Sequence, residues 1–268
     1  MKYLFLIALF TLTFFGCKDQ SPSVDPAIPT TPVITQPSTE NHIASSMDYA
    51  WDKKPDSSIV IDAYELNGID WKKMASDKRM VGVIHRSSIG LKKDSKYNER
   101  KSIALERGYL WGAYHLGKRG DTIKQADLFI SMAHDKDTMM FLDLEDTSNG
   151  SMMSIDESVI FMDYVFSKTG KIPSVYANHS VAVKLNEKLK SNIMFKNSKF
   201  WYARFKGKVT DFPVGIWNNY FLWQFSSEIN CSKTGSCLYN VPGTLFDMDI
   251  NVFYGSKEEL KSKWNNGV

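Results

Sequence analysis

The chain has 268 residues, 43% hydrophobic and 24% charged, with a formal net charge of only +3. Acids and bases are interspersed and no basic stripe appears, so the composition gives no ground for a nucleic-acid partner. Five histidines form no ligand-spaced pair and no glycine-rich loop follows a strand, so neither a metal, a nucleotide nor any other cofactor is expected.

Residues 1–17 read as a secretory leader: Lys2, then an unbroken apolar and Thr stretch from Tyr3 to Phe15, then Gly16-Cys17. It is too short to span a bilayer as a stable helix. A small residue followed by Cys resembles a bacterial lipobox. The resemblance implies that Cys17 is lipidated and becomes the mature N-terminus; an ordinary leader with an incidental Cys is the other reading. Residues 18–47 hold five of the nine prolines, among Ser, Thr and Gln. A segment this poor in apolar residues does not fold. As an extended proline-rich tether it reaches on the order of 80 Å. Residues 48–268 are enough for one large domain. The expectation is an exported monomer, held to a bacterial membrane through its lipid alone, on the periplasmic or cell-surface side.

Within the domain, Ser58–Asp62, Val81–His85, Tyr109–His115, Thr138–Leu144 and Pro173–Ala177 read as strands. Helices are expected between them: Trp71–Lys78, Lys96–Arg107, a helix capped by Asp121, one opened by the capping box Ser154-x-x-Glu157, and Ser180–Leu189. The pattern then changes. Phe200–Arg204, Phe221–Phe225 and Phe246–Val252 read as three more strands with no convincing helix between them, and a helix near Lys257–Trp264 closes the chain. This order predicts an α/β fold, an irregular TIM-like barrel of parallel strands with about five helices and bare final strands. An open doubly wound sheet is the runner-up. Cys231 and Cys237 flank a short loop and, in an oxidising compartment, pair as a disulfide or remain two free thiols.

The stretch that carries chemistry is Thr138–Asp146, an apolar strand ending in acid. Strand alternation puts Asp143 and Glu145 on one face. Two adjacent carboxyls raise each other's proton affinity, as acid–base catalysis at neutral pH requires. An isolated D-x-E is also a common, solvated loop opening. Asp62 ends the first strand and the last strand holds Asp249 beside Asp247; Asp62, Asp143, Glu145 and Asp249 meet only if the sheet closes.

In chain order, Ile61-Asp62 with Asp70-Trp71, Gly112-Ala-Tyr-His115, Leu142-Asp-Leu-Glu145, Val175-Tyr-Ala-Asn178, Trp201-Tyr-Ala-Arg204, Trp223-Gln-Phe-Ser226 and Asp249-Ile-Asn-Val-Phe253 resemble the glycoside hydrolase family 25 lysozymes. The resemblance implies a muramidase cleaving β-1,4 bonds between N-acetylmuramic acid and N-acetylglucosamine in peptidoglycan. It implies Glu145 as general acid, Asp143 assisting, and Asp62 and Asp249 positioning. Tyr114, Tyr176, Trp201, Trp223 and Asn178 are the candidate substrate contacts, although aromatics in a barrel also serve as core. The alternative is a non-catalytic glycan-binding lipoprotein on the same barrel. The sequence departs from the family pattern at Ala63-Tyr-Glu65, where Glu65 stands to alter a sugar subsite, and in the cysteine loop.

Overall fold

The computed structural model describes residues 56–148, 150–231 and 237–265. The leader, Cys17, the tether and the first residues assigned to the domain lie outside the described residues. The chain forms β1 (Ser57–Ala63), β2 (Gly68–Ile69), α1 (Trp71–Met74), β3 (Met80–Ile89), β4 (Lys92–Lys93), α2 (Tyr97–Glu106), β5 (Leu110–Leu116) and α3 (Thr122–Ala133). It continues through β6 (Thr138–Leu144), α4 (Ile155–Thr169), β7 (Ser174–Asn178), α5 (His179–Lys188), α6 (Ile193–Asn197), β8 (Phe200–Ala203) and β9 (Leu222–Ser226). Short α7 (Glu228–Cys231) and β10 (Thr244–Leu245) precede β11 (Asp249–Tyr254) and α8 (Lys257–Asn265).

Eight strands close a barrel in the order β1-β11-β9-β8-β7-β6-β5-β3, and β3 pairs back onto β1. The expected closed barrel is present, but one strand departs from the all-parallel expectation. β11 runs antiparallel to both β1 and β9. The cause lies in the segment before it. Between β9 and β11 the described residues hold only the four-residue α7 and the two-residue β10. Among the described residues no long helix carries the chain back down the barrel; β11 makes the return itself, and its first residue stands at the mouth where the parallel strands end.

Alternation along the strands sorts side chains into two layers. Val60, Ile84, Tyr114, Phe141, Trp201 and Phe253 fill the barrel interior, and Leu260 and Trp264 of α8 plug it from below. Trp264 donates its indole N–H to the Trp111 carbonyl at 2.8 Å. Space for this plug depends on Gly112, where an added Cβ would lie 2.9 Å from Ile84 Cγ1 and 3.0 Å from Phe141 Cε2. The other strand face, with Trp111, Leu142, Val175, Tyr202 and Trp223, packs under the helices.

The helix ends follow local chemistry. Ser154 and Glu157 form the expected capping box at α4, and Gly170 ends that helix with φ of 68°. Asp121 does not cap α3: its backbone is left-handed and its carboxylate pairs with Lys124 at 2.8 Å instead. α1 is shorter than expected, stopping at Met74, and α6, β2, β4 and β10 are small additions.

Candidate active site

The C-terminal ends of the parallel strands form one mouth, and the acids meet there. Asp62 is the last residue but one of β1 and lies opposite Asp249 in the β1–β11 register. Asp143, on β6, is flanked by Leu116 of β5 and Tyr176 of β7. Glu145 follows one residue beyond β6, on the same face as Asp143.

Asp62 is buried, and its Oδ2 accepts from Gln224 Nε2 at 2.9 Å and Asn251 Nδ2 at 2.8 Å. Gln224 Oε1 accepts from the Tyr176 hydroxyl at 2.9 Å, and Asn251 Oδ1 from the Trp201 indole at 2.6 Å. A chain of hydrogen bonds, Trp201–Asn251–Asp62–Gln224–Tyr176, therefore links five strands beneath the mouth. Burial pushes the Asp62 carboxyl up to about 6; the two amide donors restrain it and the charge of Glu145 adds to the rise.

Asp143 is buried, and its Oδ1 has no hydrogen-bond partner. Burial raises its proton affinity far above the ordinary carboxylate range, and Glu145, Asp62 and Asp249 push it the same way. Asp249 is also raised well above the usual value, by burial and then by Asp62 and Asp247. Glu145 differs. It is exposed at the rim, its carboxyl is raised by the protein around it, and Lys118 pulls it back down. The expected repulsion within the D-x-E pair thus falls on Asp143, the deeper acid, while Glu145 is lifted by its surroundings. Crowded carboxyls cannot all ionise together, so near neutral pH the mouth holds protons that isolated acids would have released.

The candidate aromatics divide. Tyr114 and Trp201 face the interior, and partly exposed Tyr176 stands beside Asp143; Trp201 meets Tyr176 edge-on at 4.6 Å and Tyr114 at 6.3 Å. Trp201 is only 2% exposed, so it supports Asn251 from beneath. Trp223 is not in the mouth. Gln224 takes the inward position on β9, so its neighbour Trp223 turns to the helix layer, fully buried, with its indole N–H on the Arg204 carbonyl at 2.7 Å. That placement corrects the expectation of a sugar contact. Asn178 sits at the rim and caps α5, its Oδ1 accepting from Val181 N at 3.0 Å and the Ser180 hydroxyl at 2.8 Å.

Glu65 is not open to solvent alone. It accepts from Ser95 N at 3.1 Å and Ser95 Oγ at 2.8 Å, and pairs with Arg86 at 3.3 Å and Lys92 at 3.6 Å. Arg86 is shared with buried Asp94 at 3.1 Å and lies over the Tyr64 ring. Asn251 is the residue that sequence reasoning passed over. Its signal was available: it lies two residues after Asp249, hence on the same strand face. Beyond the mouth, Cys231 and Cys237 are joined in a disulfide with a Cα–Cα distance of 5.5 Å.

Comparison with known proteins agrees with this fold. The bacterial lysozyme from Streptomyces coelicolor shares 24% identity, with 79% of this chain and 98% of that one covered and a TM-score of 0.61. The family GH25 lysozyme from Aspergillus fumigatus shares 18% over 78% and 99%, with a TM-score of 0.61. A family 25 glycosyl hydrolase from Bacillus anthracis shares 18% over 81% and 96%, with a TM-score of 0.58. At these identities the likeness speaks for the fold. No curated protein matches the sequence significantly. The family model described as glycosyl hydrolases family 25 matches residues 61–234, well over half of the sequence, so the chain belongs to that family and is a glycoside hydrolase.

Proposed function

We propose that the protein is a lysozyme of the muramidase type, cleaving β-1,4 bonds between N-acetylmuramic acid and N-acetylglucosamine in peptidoglycan. The observation that carries this reading is the mouth itself, where acids from three strands share one space and only Glu145 stands exposed at the rim. Cleavage needs a proton on the leaving oxygen and negative charge near the developing oxocarbenium ion. Glu145 is the general acid: burial raises its proton affinity above the ordinary glutamate range, and its exposure at the rim lets it give the proton to the leaving oxygen. Asp143 assists. Its unpartnered Oδ1 is an acceptor placed for a substrate N–H such as an acetamido group, and its charge, when present, faces the cation. Asp62, fixed by Gln224 and Asn251, and Asp249 opposite it set the field in which Asp143 titrates.

The test is digestion of purified peptidoglycan. The expected result is new reducing ends on muramic acid, released by the native protein and not by Glu145→Gln. A Glu145→Gln variant that still cleaves would remove Glu145 from the role, and binding without release by the native protein would overturn the activity.

Lipidation at Cys17, with residues 18–47 as tether and 48–268 as the enzyme, would place this activity on the periplasmic or cell-surface side of a bacterial membrane, reaching peptidoglycan as a monomer. Support comes from the leader and the proline-rich composition. Sedimentation with membranes should be lost in Cys17→Ser.

A further inference from the structure

Across the mouth from Glu145, the rim carries an aromatic ring with no part in the acid chemistry. In the closed barrel β6 and β11 face each other, separated by β7, β8 and β9 on one side and by β5, β3 and β1 on the other. Glu145 stands just past the end of β6, and Phe246 closely precedes Asp249, the first residue of β11. Phe246 is tied to the β1 wall. Its carbonyl accepts from Asn67 Nδ2 at 2.7 Å, and Asn67 Oδ1 accepts from the backbone N–H of Tyr64, a near neighbour of Asp62, at 2.8 Å. Leu245, before it, pairs with Gly68. Asp247, after it, lies close enough to Asp249 to raise its proton affinity.

Among the described residues, Phe246 is the most exposed large apolar side chain, at 71%, and the one aromatic in that group. Its backbone is left-handed, with φ of 63°, and Asp247 follows at 50°. Aspartate tolerates this region, a bulky ring is an outlier there, and glycine would turn the chain without strain. Gly243, just upstream, does so at 82°. The conformation persists because its surroundings fix it: Asn67 is buried, and Asp247 Oδ1 accepts from Ile229 N at 2.8 Å. The chain thus bears backbone strain and forgoes burial of a phenyl ring in order to hold that ring in solvent. A ligand laid over the ring recovers the burial. Tyr64 does not offer the same surface, since Arg86 already covers a face of its ring at 4.8 Å. A lipid bilayer is a poor occupant, because the ring shares its rim with the acids and a membrane there would seal the mouth. A sugar ring, with an apolar face of C–H groups, suits an exposed aromatic beside a polar mouth.

We propose that Phe246 is the stacking platform of a distal sugar subsite: a glycan strand with its scissile bond at Glu145 crosses the mouth over Asp249 and lays the apolar face of a further sugar on Phe246. This inference rests on the peptidoglycan reading and adds to it a preference for longer strands, since a short fragment does not reach the ring. Phe246 lies beyond residues 61–234, which the family model matches.

The test compares the native full chain with Phe246→Gly and Phe246→Tyr on soluble peptidoglycan strands of graded length. Phe246→Gly removes the ring and relieves the left-handed strain, so its urea midpoint should not fall. Its KM on long strands should rise by about threefold to tenfold, the scale of an aromatic stacking contact, with kcat kept. Its disadvantage should shrink on shorter strands, and Phe246→Tyr should restore the native KM. In the Glu145→Gln background, Phe246→Gly should weaken strand binding by the same factor. Equal KM for the native protein and Phe246→Gly on long strands would overturn the platform and leave the muramidase reading standing. A fall in stability in step with affinity would make the ring structural and overturn it too. Phe246-dependent binding to phosphatidylglycerol vesicles, with KM on strands unchanged, would assign the ring to a membrane instead. A native protein that neither binds nor cuts the strands would overturn the muramidase reading and the subsite together.

Discussion

Asn251 shows how one neutral side chain governs an ionisable one. Its Nδ2 serves both the Val60 carbonyl and Asp62, while its Oδ1 takes the Trp201 indole. Asn251→Ala would leave the buried Trp201 indole N–H without its acceptor and take one donor each from Asp62 and the Val60 carbonyl. An unsatisfied buried group costs about 1–3 kcal/mol, so a loss of stability in that range is expected in urea unfolding. Asp62 would also lose one of the two donors that restrain it, and its proton affinity should rise further above about 6. An NMR titration of the Asp62 carboxyl checks the direction; a fall would show that Asn251 does not stabilise the ionised form. Parity along a strand was enough to put Asp143 and Glu145 on one face from sequence. The same parity, applied to Gln224 and Trp223, would have put the glutamine inward and the tryptophan outward. Aromatic identity outweighed position there, and position was the better guide. What no sequence pattern discloses is depth: Trp201 faces inward yet lies beneath the acids, because depth is set by how far each strand slides past its neighbours.

At the level of elements, the first seven barrel strands and the four long helices α2 to α5 were legible from their apolar runs and the turn residues between them, even though Asp121 does not cap α3. The direction of β11 was not, since two bare strands joined by a long loop carry no signal for parallel or antiparallel pairing. That reversal matters to function: it delivers Asp249 from the start of its strand to a mouth otherwise built from strand ends. The other end of the barrel is sealed by α8 through Trp264, and the seal is sensitive to volume at β5. Gly112→Ala would push a methyl against Ile84, Phe141 and Trp264 at 2.9–3.2 Å. Overpacking of this kind costs about 1–3 kcal/mol. The thermal midpoint should therefore fall while the acids, at the far end of the interior, keep their geometry. If activity fell as steeply as stability at a temperature where the variant is folded, the two ends of the barrel would not be independent.

The molecule as a whole holds protons in opposite senses at two places, and pH separates them. In the mouth, Asp62, Asp143, Asp249 and Glu145 are all raised by burial. The folded state binds protons there more tightly than the unfolded chain does. Their contribution is full below the ordinary carboxylate range and is lost as pH rises, through about 6 for Asp62. In the outer layer, buried His85 and His115 are lowered to about 4, so their contribution is full above the ordinary histidine value and is lost as pH falls. The two sets oppose each other over the same window, so the stability profile of the native protein alone does not separate them. A substitution does. Asp143→Asn keeps the shape and removes the charge from the most crowded acid, whose Oδ1 has no protein partner to lose. At pH 8 this should stabilise the fold by roughly 1–2 kcal/mol, the usual scale when a strained functional group is relieved. At pH 4, where Asp143 is already protonated, the gain should vanish, and the histidine contributions cancel in the difference at every pH. Urea midpoints of the two proteins across that range are the measurement. A gain independent of pH, or a loss at pH 8, would mean that Asp143 carries its charge without cost and that the mouth is not the proton-rich site its burial implies.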